Sequence, residues 1–262
     1  MKEFVNHEPQ PLWPDGGPGI ETADPQFAPT LTPYLLPGVA DSVIVFPGGG
    51  YSHRAPHESG PIAEAFNARG FSAYVLDYRV APYRHPYPLL DAQRAVRTVR
   101  AHTPEGRVAV LGFSAGGHLA ASAGTHYDAG DAAAADPVDR LSCRPDALFL
   151  CYAVISFGPH GHRGSCLNLL GEDAPGELVR EFCNELRVTP DTPPTFLWHT
   201  ADDGGVPVMN SLMFAEACAA NGVPFELHVY RSGRHGLGLA PDFPHVATWI
   251  DLAGEWLRET WA

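Results

Sequence analysis

The chain has 262 residues, 45% of them hydrophobic and 18% charged, with a formal net charge of −13. That composition excludes a disordered chain and a collagen-like repeat, and no apolar run reaches the roughly 18 residues that a membrane-spanning helix needs. So acidic a surface repels phosphate backbones and anionic lipid heads, which argues against nucleic acid and membrane as partners and disfavours a polyanionic substrate.

Residues 1–40 are rich in Pro and Gly, with one short apolar patch at 31–36. They read as an N-terminal meander on the main body that adds an edge strand. Residues 1–9 lack the apolar core of a signal peptide, so the expected location is the cytoplasm. From residue 41 short apolar runs alternate with helical patterns. This is the signature of an α/β fold with a mostly parallel sheet and helices on both faces. The runs are 42–46, 73–77, 108–113, 147–152, 195–199 and 225–230. Each is nearly continuous in apolar residues, as strands buried on both faces should be. Helices are predicted at 61–68, 89–102, 114–126, 208–220 and 244–261, the fourth stopped by Asn221-Gly222. Residues 153–193 break the alternation. They hold Gly, Pro and His, then a short amphipathic helix near 177–186, and read as a lid-like insertion within a single domain spanning 1–262. Cys143, Cys151, Cys166, Cys183 and Cys218 are odd in number and form no C-x-x-C pair. They read as free thiols.

The strongest chemical signal is Gly112-Phe113-Ser114-Ala115-Gly116. The G-x-S-x-G pattern falls at a strand-to-helix junction, where a sharp turn lifts the serine hydroxyl above the sheet edge. Small residues at 112 and 116 let strand and helix approach closely, and the helix N-terminus favours developing negative charge. A serine hydroxyl needs an adjacent base. On this topology the acid and then the histidine follow the serine in chain order. His235, in Gly233-Arg234-His235-Gly236 directly after the last strand, fits the base. His199 precedes the acid, His228 lies inside a strand, and His118 is one helical turn beyond Ser114, packed beneath it. His53 and His57 flank a glycine loop. His160, His162 and Cys166 match no standard zinc spacing, so no metal is expected. The acid falls in Asp202-Asp203-Gly204-Gly205-Val206-Pro207. Asp203 stands at D-x-x-V-P spacing and is preferred; Asp202 remains the competitor, with a turn or capping role suiting it. Pro47-Gly48-Gly49-Gly50-Tyr51 lacks the dinucleotide spacing G-x-G-x-x-G. Its glycines suit backbone N–H groups facing a tetrahedral oxyanion, with Ala115 as the second donor.

These residues resemble the α/β-hydrolase carbohydrate esterases, specifically the bacterial acetyl xylan esterase-like family. The likeness rests on Phe46-Pro47-Gly48-Gly49-Gly50-Tyr51, His57-Glu58-Ser59-Gly60, Asp77-Tyr78-Arg79-Val80-Ala81-Pro82, Asp91-Ala92-Gln93-Arg94-Ala95, Gly112 to Ala120, Asn168-Leu169-Leu170-Gly171, Pro193 to Asp203 and His235-Gly236-Leu237-Gly238. The resemblance implies Ser114 as nucleophile, His235 as base, Asp203 as acid, and Gly49, Gly50 and Ala115 as the oxyanion hole. It implies a serine carboxylesterase with no cofactor, removing short acyl groups, acetyl foremost, from xylo-oligosaccharides or related carbohydrates. The alternatives are a feruloyl or aryl esterase, a small amidase or peptidase on the same fold, and a non-catalytic binding protein that kept the scaffold. Tyr51 and Trp198 are candidates for the pocket wall, Trp198 being better placed for the core.

Overall fold

The computed structural model describes residues 4–14, 16–19 and 28–262. The remaining residues of the expected N-terminal meander lie outside the described ones. In chain order the elements are β1 (Gln10–Pro11), β2 (Thr30–Tyr34), β3 (Ser42–Phe46), α1 (Gly60–Asn67), β4 (Ser72–Asp77), α2 (Tyr87–His102), β5 (Val108–Phe113) and α3 (Ser114–Thr125). They continue with β6 (Ala147–Cys151), α4 (Arg163–Leu170), α5 (Gly176–Glu181), β7 (Thr195–Thr200), α6 (Met209–Asn221), β8 (Phe225–Tyr230) and α7 (Trp249–Thr260). The strands form one sheet in the order β1-β2-β4-β3-β5-β6-β7-β8. From β4 to β8 all pairings are parallel, and the meander supplies the antiparallel β1 and β2 at one edge.

Strand side chains alternate between faces, so each central strand feeds two cores. Ile44, Val110, Leu148 and Leu197 pack with Val96 and Val99 of α2 and Leu119 of α3. Val43, Val45, Leu111 and Phe149 face the other way, against Ile62 and Phe66 of α1 and Trp249 and Leu257 of α7. Burying one such side chain contributes roughly 1.5–3 kcal/mol, which is why these strands read as unbroken apolar runs. β8 departs from that expectation. It is the sheet's far edge, and Phe225 and Val229 are 39% and 45% exposed. An apolar run alone does not separate an edge strand from an internal one.

Other boundaries shift for local reasons. Tyr152 leaves β6 with a positive φ of 35°. The predicted helix near 177–186 divides into α5 and a single 3-10 turn at Asn184–Leu186. α4 had no prediction, because Gly164, Ser165 and Asn168 carry weak helix preference and no apolar period. No described helix is long and apolar enough to cross a membrane.

One buried ion pair ties the loop after β4 to α2. Arg79 and Asp91 are both fully buried and meet through two parallel bonds of 2.8 and 2.7 Å. Asp91 also accepts from the Arg79 backbone N–H at 3.0 Å and from Trp13 Nε1 at 2.9 Å. That loop in turn braces the glycine loop, since Ala81 N–H donates to the Tyr51 carbonyl at 2.8 Å. Asp91→Ala strands the Arg79 guanidinium in the core, and chemical denaturation is expected to show a loss of about 3–5 kcal/mol.

Candidate active site

The carboxyl ends of the parallel strands bring three loops together. Ser114 is the first residue of α3, directly after β5, and holds a φ of +51°. Few non-glycine residues adopt that conformation, and here close backbone packing enforces it. A Cβ on Gly112 would lie 2.0 Å from the Gly116 carbonyl oxygen, and one on Gly116 would lie 2.1 Å from that of Phe46. Strand and helix therefore meet closely only because both positions lack a side chain.

His235 Nε2 lies 2.8 Å from Ser114 Oγ, and His235 Nδ1 lies 2.8 Å from Asp203 Oδ2. The carboxylate fixes the tautomer: Nδ1–H donates to Asp203, leaving Nε2 to accept from the serine hydroxyl. Asp203 Oδ1 also accepts the backbone N–H groups of Gly205 and Val206 at 2.8 and 3.0 Å. Burial alone would raise its carboxyl pKa. Contacts with His199 and His235 and the Val206 N–H outweigh that, holding it well below the usual carboxylate range.

Asp202 has a different partner set. It accepts from Ser232 Oγ at 2.6 Å and Gly233 N–H at 2.8 Å, pinning the loop that carries His235. These bonds lower its pKa too. The adjacent carboxylates thus divide between orienting the imidazole and anchoring its loop. Gly205 is a steric requirement: a Cβ there would lie 2.8 Å from His235 Cγ.

In the glycine loop, Gly49 and Gly50 have φ of +131° and +64°. The loop carbonyls are tied back, Gly48 to Ala55 N–H, Gly49 to Ser52 N–H and Gly50 to Asn168 Nδ2 at 2.8 Å. The N–H groups of Gly49 and Gly50 donate to no acceptor among the described residues. The Ala115 N–H, in the first turn of α3, has no partner within its own helix.

Two residues without an assigned role in the sequence hold this arrangement together. Glu58 is buried; its Oε2 accepts the Gly48 N–H at 2.8 Å and its Oε1 accepts the Tyr152 hydroxyl at 2.5 Å. Tyr152 Oη accepts in turn from Gly238 N–H at 2.9 Å, and its ring meets the His235 ring edge-on at 5.2 Å. The glycine loop and the histidine loop are thus one hydrogen-bonded unit. The signal for Glu58 was a lone acid between a glycine loop and a helix start. Tyr152 gave none, since it read as the end of a strand.

The other histidines fall into place by their partners. His118 is fully buried, bonded to Tyr51 Oη and the Phe182 carbonyl at 2.9 Å each. Burial pushes its pKa down to about 4 against the opposing pull of the Phe182 carbonyl. His199 is buried against Ser211 and the Val206 carbonyl. His57 reaches the Gly236 carbonyl at 3.0 Å, and exposed His53 sits beside Ser52 Oγ. His228 pairs with Glu226. Neither aromatic candidate lines an open wall: Tyr51 is 1% exposed, and Trp198 is in the core, stacked on Trp249. Among the described residues no group of three His, Cys, Asp or Glu side chains is placed to hold a metal. All five cysteines are free thiols.

A family model described as BD-FAE matches residues 36–218. The chain belongs to the BD-FAE family. A crystal structure of an acetyl ester-xyloside bifunctional hydrolase from Caldicellulosiruptor lactoaceticus has a TM-score of 0.93 at 50% identity, covering 98% of this chain and 97% of that one. An endo-1,4-beta-xylanase B of Butyrivibrio fibrisolvens is 37% identical over 228 residues, 82% of this chain and 36% of the relative. An acetylxylan esterase of Xylanibacter ruminicola is 28% identical over 228 residues, 83% of this chain and 45% of the relative. The chain spans less than half the length of these two curated relatives.

The fold is the α/β-hydrolase fold. The BD-FAE match takes in the glycine loop, Ser114 and Asp203 but ends before His235. A match to the prolyl oligopeptidase family, residues 179–258, takes in Asp203 and His235. Within this BD-FAE chain the bridge through Glu58 is open to test. Glu58→Ala leaves two buried donors without their acceptor, at about 1–3 kcal/mol each. Thermal denaturation is expected to register that loss, and Glu58→Gln, which keeps one carbonyl oxygen, a smaller one.

Proposed function

We propose that this chain is a serine carboxylesterase that removes short acyl groups, acetyl foremost, from xylo-oligosaccharides or related carbohydrates through an acyl-enzyme. The observation that carries the reading is the pair of 2.8 Å contacts running Ser114–His235–Asp203. The names of the Caldicellulosiruptor and Xylanibacter proteins support the acyl group and the sugar. The net charge of −13 suits a neutral carbohydrate over a polyanion.

In this mechanism Ser114 Oγ attacks the ester carbonyl as His235 Nε2 takes its proton. Asp203 holds the imidazole and stabilises the imidazolium. The tetrahedral oxyanion is received by the N–H groups of Gly49, Gly50 and Ala115, which are not committed to another acceptor among the described residues, so little reorganisation accompanies charge formation. Collapse expels the sugar alkoxide, which takes the proton from His235. Water, deprotonated by the same imidazole, then releases the acid and regenerates Ser114. No group beyond these is needed. The five free thiols fit the cytoplasmic location expected from the sequence, where imported oligomers would be the substrates.

Hydrolysis of p-nitrophenyl acetate by wild-type protein and by Ser114→Ala tests the nucleophile, with a loss on the order of 10⁶ in kcat expected. Turnover untouched by Ser114→Ala would sink the proposal. Acetate release from acetylated xylo-oligosaccharides is expected to exceed amine release from dipeptide amides, the reverse pointing to an amidase. In the same assay Asp203→Asn is expected to cost about 10⁴ in kcat. Asp202→Asn, which loosens an anchor without disturbing the tautomer, is expected to cost far less.

A further inference from the structure

His162 stands apart from the other histidines near the site, because one of its ring nitrogens is fully committed and the other is not. It is the N-cap of α4: Nδ1 accepts the Ser165 backbone N–H at 3.1 Å, with Ser165 Oγ at 2.8 Å. An amide hydrogen aimed at Nδ1 leaves no space for a proton there, so the ring proton belongs on Nε2. Nε2–H donates to no acceptor among the described residues, and the half-buried ring keeps it open to solvent.

Its neighbours place that donor. An ideal Cβ on Gly50 would lie 3.9 Å from His162 Cε1, so the ring borders the loop proposed to hold the oxyanion. The same α4 that His162 caps carries Asn168, which holds the Gly50 carbonyl. Burial is the main cause lowering the His162 pKa, and the nearby charge of His235 lowers it further. His162 is therefore a neutral donor at the rim between the glycine loop and His235. Backbone N–H groups already supply the oxyanion, and a solvent-facing donor beyond Gly50 is positioned for the other half of the ester.

We propose that His162 is a specificity-determining residue whose Nε2–H donates a hydrogen bond to a hydroxyl or ring oxygen of the sugar that bears the scissile acyl group. This inference rests on the carbohydrate-ester reading above. It gives α4 two functions, support of the glycine loop through Asn168 and recognition through its cap.

Two amide substitutions divide the ring's functions. In His162→Asn the carbonyl oxygen takes the place of Nδ1 and keeps the cap, while the Nε2 donor is lost. In His162→Gln the amide nitrogen reaches the place of Nε2. The readout is the ratio of kcat/KM for acetylated xylosides to kcat/KM for p-nitrophenyl acetate, whose aryl group offers no sugar oxygen. Both substrates are measured on one preparation, so any loss of folded enzyme cancels. The ratio is expected to fall about tenfold in His162→Asn and to recover in part in His162→Gln. A ratio unchanged in His162→Asn, or no higher in Gln than in Asn, overturns the inference while leaving the esterase reading intact. Wild-type protein that cleaves p-nitrophenyl acetate but no acetylated xyloside overturns the carbohydrate reading and this inference together.

Discussion

The site depends on one steric constraint, the nearly side-chain-free approach of the first turn of α3 to the backbones of β3 and β5. Gly112 and Gly116 leave no volume for a methyl group between strand and helix. That contact forces Ser114 into its left-handed conformation and sets it above the sheet edge. It also places the Ala115 N–H beside the glycine loop, which leaves β3 one strand away. A strained residue of this kind costs on the order of 1–3 kcal/mol and persists only where its surroundings over-determine it. Here the two buried faces of the sheet provide that support.

Around this fixed point the structure ties its loops to one another. Asp202 anchors the His235 loop near Ser232 and Gly233, and Tyr152 holds it again at Gly238. Glu58 then joins Tyr152 to Gly48. The Arg79–Asp91 pair braces the same glycine loop from the other side through Ala81 and Tyr51. Apart from the exposed Ser232–Asp202 contact, the links are buried or partly buried, where an unmade hydrogen bond is expensive, so they fix the loops' relative positions more firmly than their irregular backbones would.

Much of this was legible in the chain itself. Nearly continuous apolar runs marked the six parallel strands, and G-x-S-x-G at the end of one of them marked the turn. Chain order singled out His235 from thirteen histidines. The spacing to Val206 and Pro207 favoured Asp203, and the geometry places that residue, not Asp202, on the imidazole. What stayed hidden was whatever depends on distant partners. The exposure of β8 follows from its place in the sheet. The need for glycine at 205 follows from a ring thirty residues away in sequence. The link between Glu58 and Tyr152 joins residues 94 positions apart, and neither local period nor composition carries such information.

The placement of the His235 ring has a kinetic meaning. Gly205 presses on one side, the Tyr152 ring edge stands on another, and Asp203 grips the far nitrogen. An imidazole caged in this way has little freedom to swing between the serine and a departing alcohol. In the mechanism proposed above, proton delivery is then arranged by the path of the substrate oxygens past that ring, the reactant travelling while the imidazole keeps its place.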